Sequence, residues 1–189
     1  WESVQLSNQF VNQWHRSSMR NKTEGGTYSM KFGSSTTGNY AASSYGAFVS
    51  PYMNIVPGSV LKFWHWMDAE NHSSNNTQAW DGGTVEMSLN GGAWETILPE
   101  NGYPYVIRQN PASPFEAGTL VFSGSFDWRE EVFQLYDATG IAQFRFVFGS
   151  DAYTAAEGWY IDDINVIVPT VSNPEDFGVV QPLMLGQNY

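Results

Sequence analysis

Hydrophobic and polar positions alternate in short runs along most of the chain. In residues 27–32, Tyr28, Met30 and Phe32 fall on one face, with Gly25-Gly26 before the run and Gly33 after it. Residues 59–68 form a dense apolar run containing Val60, Leu61, Phe63, Trp64 and Trp66. Residues 84–89 alternate and then meet Asn90-Gly91-Gly92, and residues 94–98 return as a partner. Asn-Gly between two alternating runs is the strongest short hairpin signal. Residues 119–122, 142–148 and 159–168 read as further strands. Short strands separated by Gly, Pro and Asn turns predict an all-β sandwich or barrel. The one candidate for a helical turn or short helix is residues 129–136.

Two segments lack this pattern. Residues 69–80 are rich in Asn and Ser, and residues 99–118 carry Pro104, Pro111 and Pro114. Both read as long loops, a class that is often functional. Tyr103, Tyr105 and Phe115 imply that the second packs on something. After Val168 the composition changes to Pro169-Thr170-Val171-Ser172-Asn173-Pro174. The expected organisation is one domain over residues 1–168 and a linker or tail over 169–189.

Composition narrows the functional classes. The 189 residues carry 8 Lys+Arg against 19 Asp+Glu, a net charge of −11. Phosphate recognition needs clustered basic residues, so nucleic acid is not an expected partner, nor is an anionic membrane surface. No apolar run approaches the ~20 residues that span a bilayer as a helix. Cysteine is absent, which removes disulfides, thiol catalysis and Cys-ligated metals. Aromatics make up 16% of the chain, far from the composition of a disordered segment. The chain does not begin with Met, so it is expected to be a processed product or an excised fragment.

Catalytic patterns are weak. The histidines His15, His65 and His72 make no His-Glu-x-x-His pair, and no Gly-x-Ser-x-Gly elbow occurs. His65, on the face opposite Trp64 and Trp66, is expected to be a packed or surface residue rather than a ligand. Glu86, Glu95, Glu130, Glu131 and Glu157 are available for glycoside hydrolysis, but nothing in their spacing selects a pair. Most tryptophans, Trp64 and Trp66 included, are expected in the core. The aromatics chosen as a sugar-stacking platform are Trp80, Tyr103, Tyr105 and Tyr153. Acidic residues cluster at Asp68 and Glu70, at Asp81 and Glu86, and at Asp162 and Asp163. Such oxygens suit Ca²⁺, which takes 6–8 hard ligands, and equally suit solvated turns. Asp162 and Asp163, adjacent on a strand, are expected to point to opposite faces. Asp81-Gly82-Gly83 is expected to turn tightly.

The stretch Gly158-Trp159-Tyr160-Ile161-Asp162-Asp163-Ile164-Asn165-Val166 resembles the last core strand of bacterial MAM-like jelly-roll domains. More loosely it is similar to that strand of jelly-roll carbohydrate-binding modules. Residues 80–88 with Gly91-Gly92-Ala93-Trp94, residues 61–66 and residues 144–151 resemble the family's other core strands in the same order. Residues 40–51 look like the lead into its first sheet crossing. Leu185-Gly186-Gln187-Asn188-Tyr189 resembles the opening of a bacterial C-terminal sorting region.

The resemblance implies a jelly-roll β-sandwich of two antiparallel sheets. It implies a non-catalytic accessory domain of a larger secreted or cell-surface bacterial protein, such as a peptidase or adhesin. It also implies a structural calcium ion, for which Asp68, Glu70, Asp81 and Asp163 are the candidate ligands. The expected partners are polysaccharide or extracellular protein, together with covalently linked neighbouring domains. A carbohydrate-binding module with an aromatic platform is the alternative, and a small β-sandwich glycoside hydrolase or lyase comes third.

Overall fold

The computed structural model describes residues 1–170; the linker and sorting-region readings for 171–189 lie outside the described residues. Those described residues contain strands and no helix. The first strands are β1 (Glu2–Gln5), β2 (Trp14–Ser17), β3 (Ser29–Phe32), β4 (Tyr45–Val49) and β5 (Met53–Ile55). Next come β6 (Ser59–Ala69), β7 (Gln78–Ala79), β8 (Gly82–Leu89), β9 (Trp94–Thr96) and β10 (Tyr105–Ile107). The last are β11 (Leu120–Val121), β12 (Gly124–Leu135), β13 (Gly140–Gly149) and β14 (Gly158–Ile167).

One antiparallel sheet runs β1-β4-β13-β8-β9, with β5 also paired to β13. The other runs β12-β6-β14-β3-β2. Their inner faces meet through aromatic side chains. Phe63 on β6 meets Phe146 on β13 edge-on at 4.8 Å between ring centroids. Phe32 on β3 stacks on Phe148 at 4.6 Å, and Trp159 on β14 meets Phe146 at 5.8 Å. The architecture is the all-β jelly-roll sandwich that the alternation and the resemblance together led one to expect. Among the described residues no helix is long and apolar enough to cross a membrane.

Strand alternation decides most placements. On β6, Leu61, Phe63, His65 and Met67 are buried, while Lys62, Trp64 and Trp66 face outward. Trp64 and Trp66 are therefore not core residues, contrary to expectation. Residues of the β2–β3 connection cover them: the Arg20 guanidinium sits 3.7 Å from the Trp66 ring centroid, and the Lys22 ammonium 4.2 Å from that of Trp64. The helical turn expected at 129–136 is also overturned. Those residues belong to β12, where Glu131, Phe133 and Leu135 are buried and Val132 and Gln134 alternate with them.

Of the packed and surface placements expected for His65, the structure shows the packed one. Trp159 donates its indole N–H to His65 Nδ1 at 3.0 Å. The other ring nitrogen, Nε2, faces Glu131 Oε1 at 3.2 Å and Arg129 Nε at 3.1 Å. Arg129 pairs with the same oxygen at 2.9 Å, so the buried carboxylate has a cation. Burial holds the His65 pKa down at about 4.

The two long loops contain short strands. β7, β10 and β11 make a third, small sheet in which β7 runs parallel to β10. It lies on the outer face of the β4–β13 sheet, where Ile107, Phe115 and Val121 pack with Ala47, Val49 and Val147. This explains the aromatic content of residues 99–118. The Asn90-Gly91 hairpin forms as read: both residues have positive φ, 54° and 73°, and Gly92 N–H donates to Leu89 O at 2.9 Å. That is the turn whose twist matches paired strands.

Gly82 and Gly83, expected at a tight turn, lie inside β8 without positive φ. They are needed for room. A Cβ on Gly82 would stand 2.4 Å from Phe122 O, and one on Gly83 would stand 2.4 Å from two atoms of the Trp159 ring. Gly83→Ala is expected to destabilise the domain by about 1–3 kcal/mol, the usual cost of overpacking. Urea unfolding of the variant measures this.

Candidate functional site

Three carboxylates converge at one end of the sandwich. Glu70 follows the last residue of β6, Asp81 precedes β8, and Asp151 lies just beyond β13. Each offers an oxygen within 4.8 Å of the others. Asp81 and Asp151 are buried at 0% and 2% exposure, and Glu70 is half-buried. The backbone fixes the arrangement. Trp80 N–H and Asp81 N–H both donate to Glu70 O at 3.1 Å, tying the β7–β8 connection to the end of β6. Ser123 Oγ donates to Asp81 O at 2.7 Å.

Asp81 accepts from Asp151 N–H at 2.7 Å and from the Tyr40 hydroxyl at 2.8 Å. Asp151 accepts from Asn110 Nδ2 at 2.7 Å and from Tyr153 N–H at 2.8 Å. Glu70 Oε2 is enclosed and has no hydrogen-bond partner among the described residues. No Lys or Arg is paired with any of the three among those residues.

Burial pushes the Asp81 carboxyl up to about 8, and the two neighbouring acids push the same way against its hydrogen bonds. Glu70 is raised chiefly by burial and further by Asp151, while Thr154 alongside offsets part of the rise.

Above this triad lies a hollow of about 390 Å³, lined by Glu70, Trp80, Gln109, Asn110, Pro111, Asp151 and Tyr153. Tyr153 is 75% exposed and Trp80 half-buried. His72 and Arg108 brace Trp80, with the imidazole centroid 5.5 Å and the guanidinium carbon 5.2 Å from its ring. The hollow therefore offers aromatic faces beside amide and carboxylate groups.

Of the four sequence-derived metal candidates, the structure brings Glu70 and Asp81 together and joins Asp151 to them. Asp68 points to the outer face of β6, outside this group. Asp163 lies further along β14, also outside it. The opposite-face expectation for Asp162 and Asp163 fails, because a bulge interrupts the β14–β6 register there. Both carboxylates reach the Thr23 hydroxyl, Asp163 at 2.6 Å and Asp162 at 3.3 Å.

Of the aromatic candidates, Trp80 and Tyr153 line the hollow. Tyr103 instead pegs strands together, donating from its hydroxyl to Ile97 O and accepting from Val85 N–H, each at 3.0 Å. Tyr105 accepts from Asn71 and packs on the second core. Sequence reasoning missed Asp151, Gln109, Asn110 and Pro111. Asp151 had a usable signal, since like Asp81 it flanks an alternating strand beside glycine and serine. The loop residues had none.

Four of the five glutamates weighed for hydrolysis are held in ion pairs. Glu86, Glu130, Glu131 and Glu157 each pair with a cation, Arg145, Lys62, Arg129 and Arg20 respectively. Glu95 is exposed on β9.

No protein-family model matches the chain, and no curated protein does. Among solved structures, the carbohydrate-binding module TmCBM61 in complex with beta-1,4-galactotriose aligns with 12% identity and a TM-score of 0.41. The match covers 85% of this chain and 92% of that one. A likeness of this degree carries no argument about what this chain binds.

The donor set suits a hard divalent cation. It is all oxygen, it carries excess negative charge, and one of its oxygens is buried without a partner. With no metal bound, His65 and Asp81 shape the stability–pH curve near neutrality in opposite senses, and the raised Glu70 carboxyl acts in the same sense as Asp81. His65 has a folded pKa of about 4 against 6.5, so it lowers stability as pH falls from 6.5 to 4. Asp81 has a folded pKa of about 8 against 3.8, so it lowers stability as pH rises from 3.8 to 8. The two oppose each other below pH 6.5. Between pH 6.5 and about 8 Asp81 acts alone of the two. In EDTA, stability is expected to fall across that upper window, and Asp81→Asn is expected to flatten the fall. Urea denaturation at stepped pH measures both.

Proposed function

We propose that this chain is a non-catalytic carbohydrate-binding domain whose sugar site is built over a calcium ion. The carrying observation is the single hollow in which Trp80 and Tyr153 stand beside Gln109 and Asn110, directly above the Glu70–Asp81–Asp151 triad. Sugar rings bind through apolar C–H faces laid on flat aromatic rings, and their hydroxyls need amide and carboxylate partners. The hollow supplies both. Glu70, Asp81 and Asp151 would hold the ion, which supplies charge compensation in the desolvated strand ends. Asn110 and the Tyr153 backbone, both bonded to Asp151, then have a fixed base.

The MAM-like resemblance of the strand motifs supports the wider setting, an accessory domain within a larger secreted or cell-surface bacterial protein. In that setting the domain holds the parent chain on a glycan.

Affinity electrophoresis through gels containing xylan, β-1,4-galactan or laminarin tests the reading. At least one polysaccharide is expected to retard the chain. Trp80→Ala and Tyr153→Ala are each expected to weaken that retardation by about tenfold, ~1.4 kcal/mol. No retardation by any of the three, or retardation unchanged in both variants, would contradict the proposal.

A further inference from the structure

A second hollow, of about 250 Å³, lies beside the bulge in β14, among residues that include Trp1, Tyr28, Met30, Phe48, Asp163 and Ile164. It is well separated from the acidic triad. On β14, Asp163 is five residues past Gly158, the end that pairs with Asp68, and so ~16 Å down the strand.

Two of its side chains are large, aromatic and exposed: Trp1 at 44% and Tyr28 at 49%. Each is nevertheless braced. Trp1 stacks on Phe48 with centroids 5.0 Å apart and planes 26° from parallel. The Arg16 guanidinium carbon sits 4.4 Å from the Tyr28 centroid. Exposed rings held in place lose little freedom when a ligand lies on them.

The bulge residue adds the polar half. Asp163 adopts φ 50°, in the left-handed region that a residue with a Cβ pays to enter. Its side chain is exposed, and one oxygen accepts from Thr23 Oγ1. Asp162, by contrast, accepts from Lys22 N–H at 2.8 Å and Asp163 N–H at 2.9 Å, which anchors the β2–β3 connection. Asp162 therefore takes the backbone N–H groups that anchor the connection, while Asp163 holds it through the Thr23 hydroxyl alone. Asp163 keeps the strained backbone and presents a carboxylate beside two aromatic faces. Bulges commonly re-aim a side chain in this way at binding sites.

We propose that this hollow is a second carbohydrate subsite, taking one neutral pyranose ring. The ring lies against Tyr28 and Trp1, and Asp163 accepts from its hydroxyls. The volume is below that of a drug-sized pocket and suits a single ring. Its residues include none of the triad, so it works without the calcium ion. A polymer that reaches both subsites at once would bind with greater avidity than either subsite gives alone.

The test is a ¹⁵N NMR titration of the full chain, in EDTA, with methyl β-glucopyranoside, methyl β-galactopyranoside and methyl β-xylopyranoside. At least one is expected to shift the Tyr28, Asp163 and Ile164 amides and the Trp1 indole saturably. Tyr28→Ala is expected to weaken that response about tenfold. Asp163→Gly, which relieves the backbone strain and keeps the fold, is expected to weaken it as well. Absence of saturable shifts at these residues with all three glycosides overturns the proposal. So does an unchanged response in either variant. Signals at Trp80 and Asn110 report the first hollow separately, so failure of one site is not mistaken for failure of the other.

Discussion

Three carboxylates that converge in a desolvated space cannot all be ionised without a counter-charge. This constraint governs one whole end of the molecule. Glu70, Asp81 and Asp151 come from the ends of β6, β8 and β13, which belong to both sheets of the sandwich. Around them, Tyr40 hydrogen-bonds Asp81, Glu70 O gathers two backbone amides, and Asp151 holds Asn110 and Tyr153. The Trp80 backbone, Asn110 and Tyr153 of the upper hollow are thus connected to the triad. A protonated Asp81 satisfies the arrangement in acid. With its pKa pushed up to about 8, that protonated form persists to neutral pH; a bound divalent cation would let all three ionise, which is why the proposed function rests on the ion.

The rest of the sandwich explains why this end is available for function. The inner faces are filled by Phe63, Phe146, Phe148 and Trp159, packed closely enough that Gly83 has no room for a Cβ. The outer face of the β4–β13 sheet is covered by the small β7-β10-β11 sheet and Phe115. The outer face of β6 is covered at Trp64 and Trp66 by Arg20 and Lys22. With the sheet faces largely occupied, a rigid frame presents its strand-end loops and its interrupted strand β14. Rigid frames carrying functional loops are a common division of labour.

The fold was legible in the sequence because strand alternation is a local signal. Phe63, Phe146 and Trp159 announced buried faces, and Asn90-Gly91 announced its own turn. Residues 129–136 were misread because a run containing Glu130-Glu131 and Val132-Phe133 fits two periods over so short a span. Pairing with β6 decides between them, and that partner is far away in sequence. Trp64 and Trp66 were misplaced for a related reason: composition says tryptophan is buried, but only the β2–β3 connection shows what covers an outward one.

The site was half legible. Glu70 and Asp81 stood out as strand-end acids, and Trp80 and Tyr153 as loop aromatics. Asp151 joins them only through the sheet order β4-β13-β8, which no local pattern encodes. Asp163 stands apart from the triad because it lies five residues down β14 from Gly158, a distance that follows from how β14 pairs with β6.

The most direct test of the central claim is a calorimetric titration of Ca²⁺ into the EDTA-stripped and dialysed chain at pH 7.5, repeated with Asp81→Asn. The account predicts one saturable site in the parent chain and its loss in the variant, with the variant still folded. No binding heat together with a metal-free elemental analysis, or binding unchanged by Asp81→Asn, would contradict it.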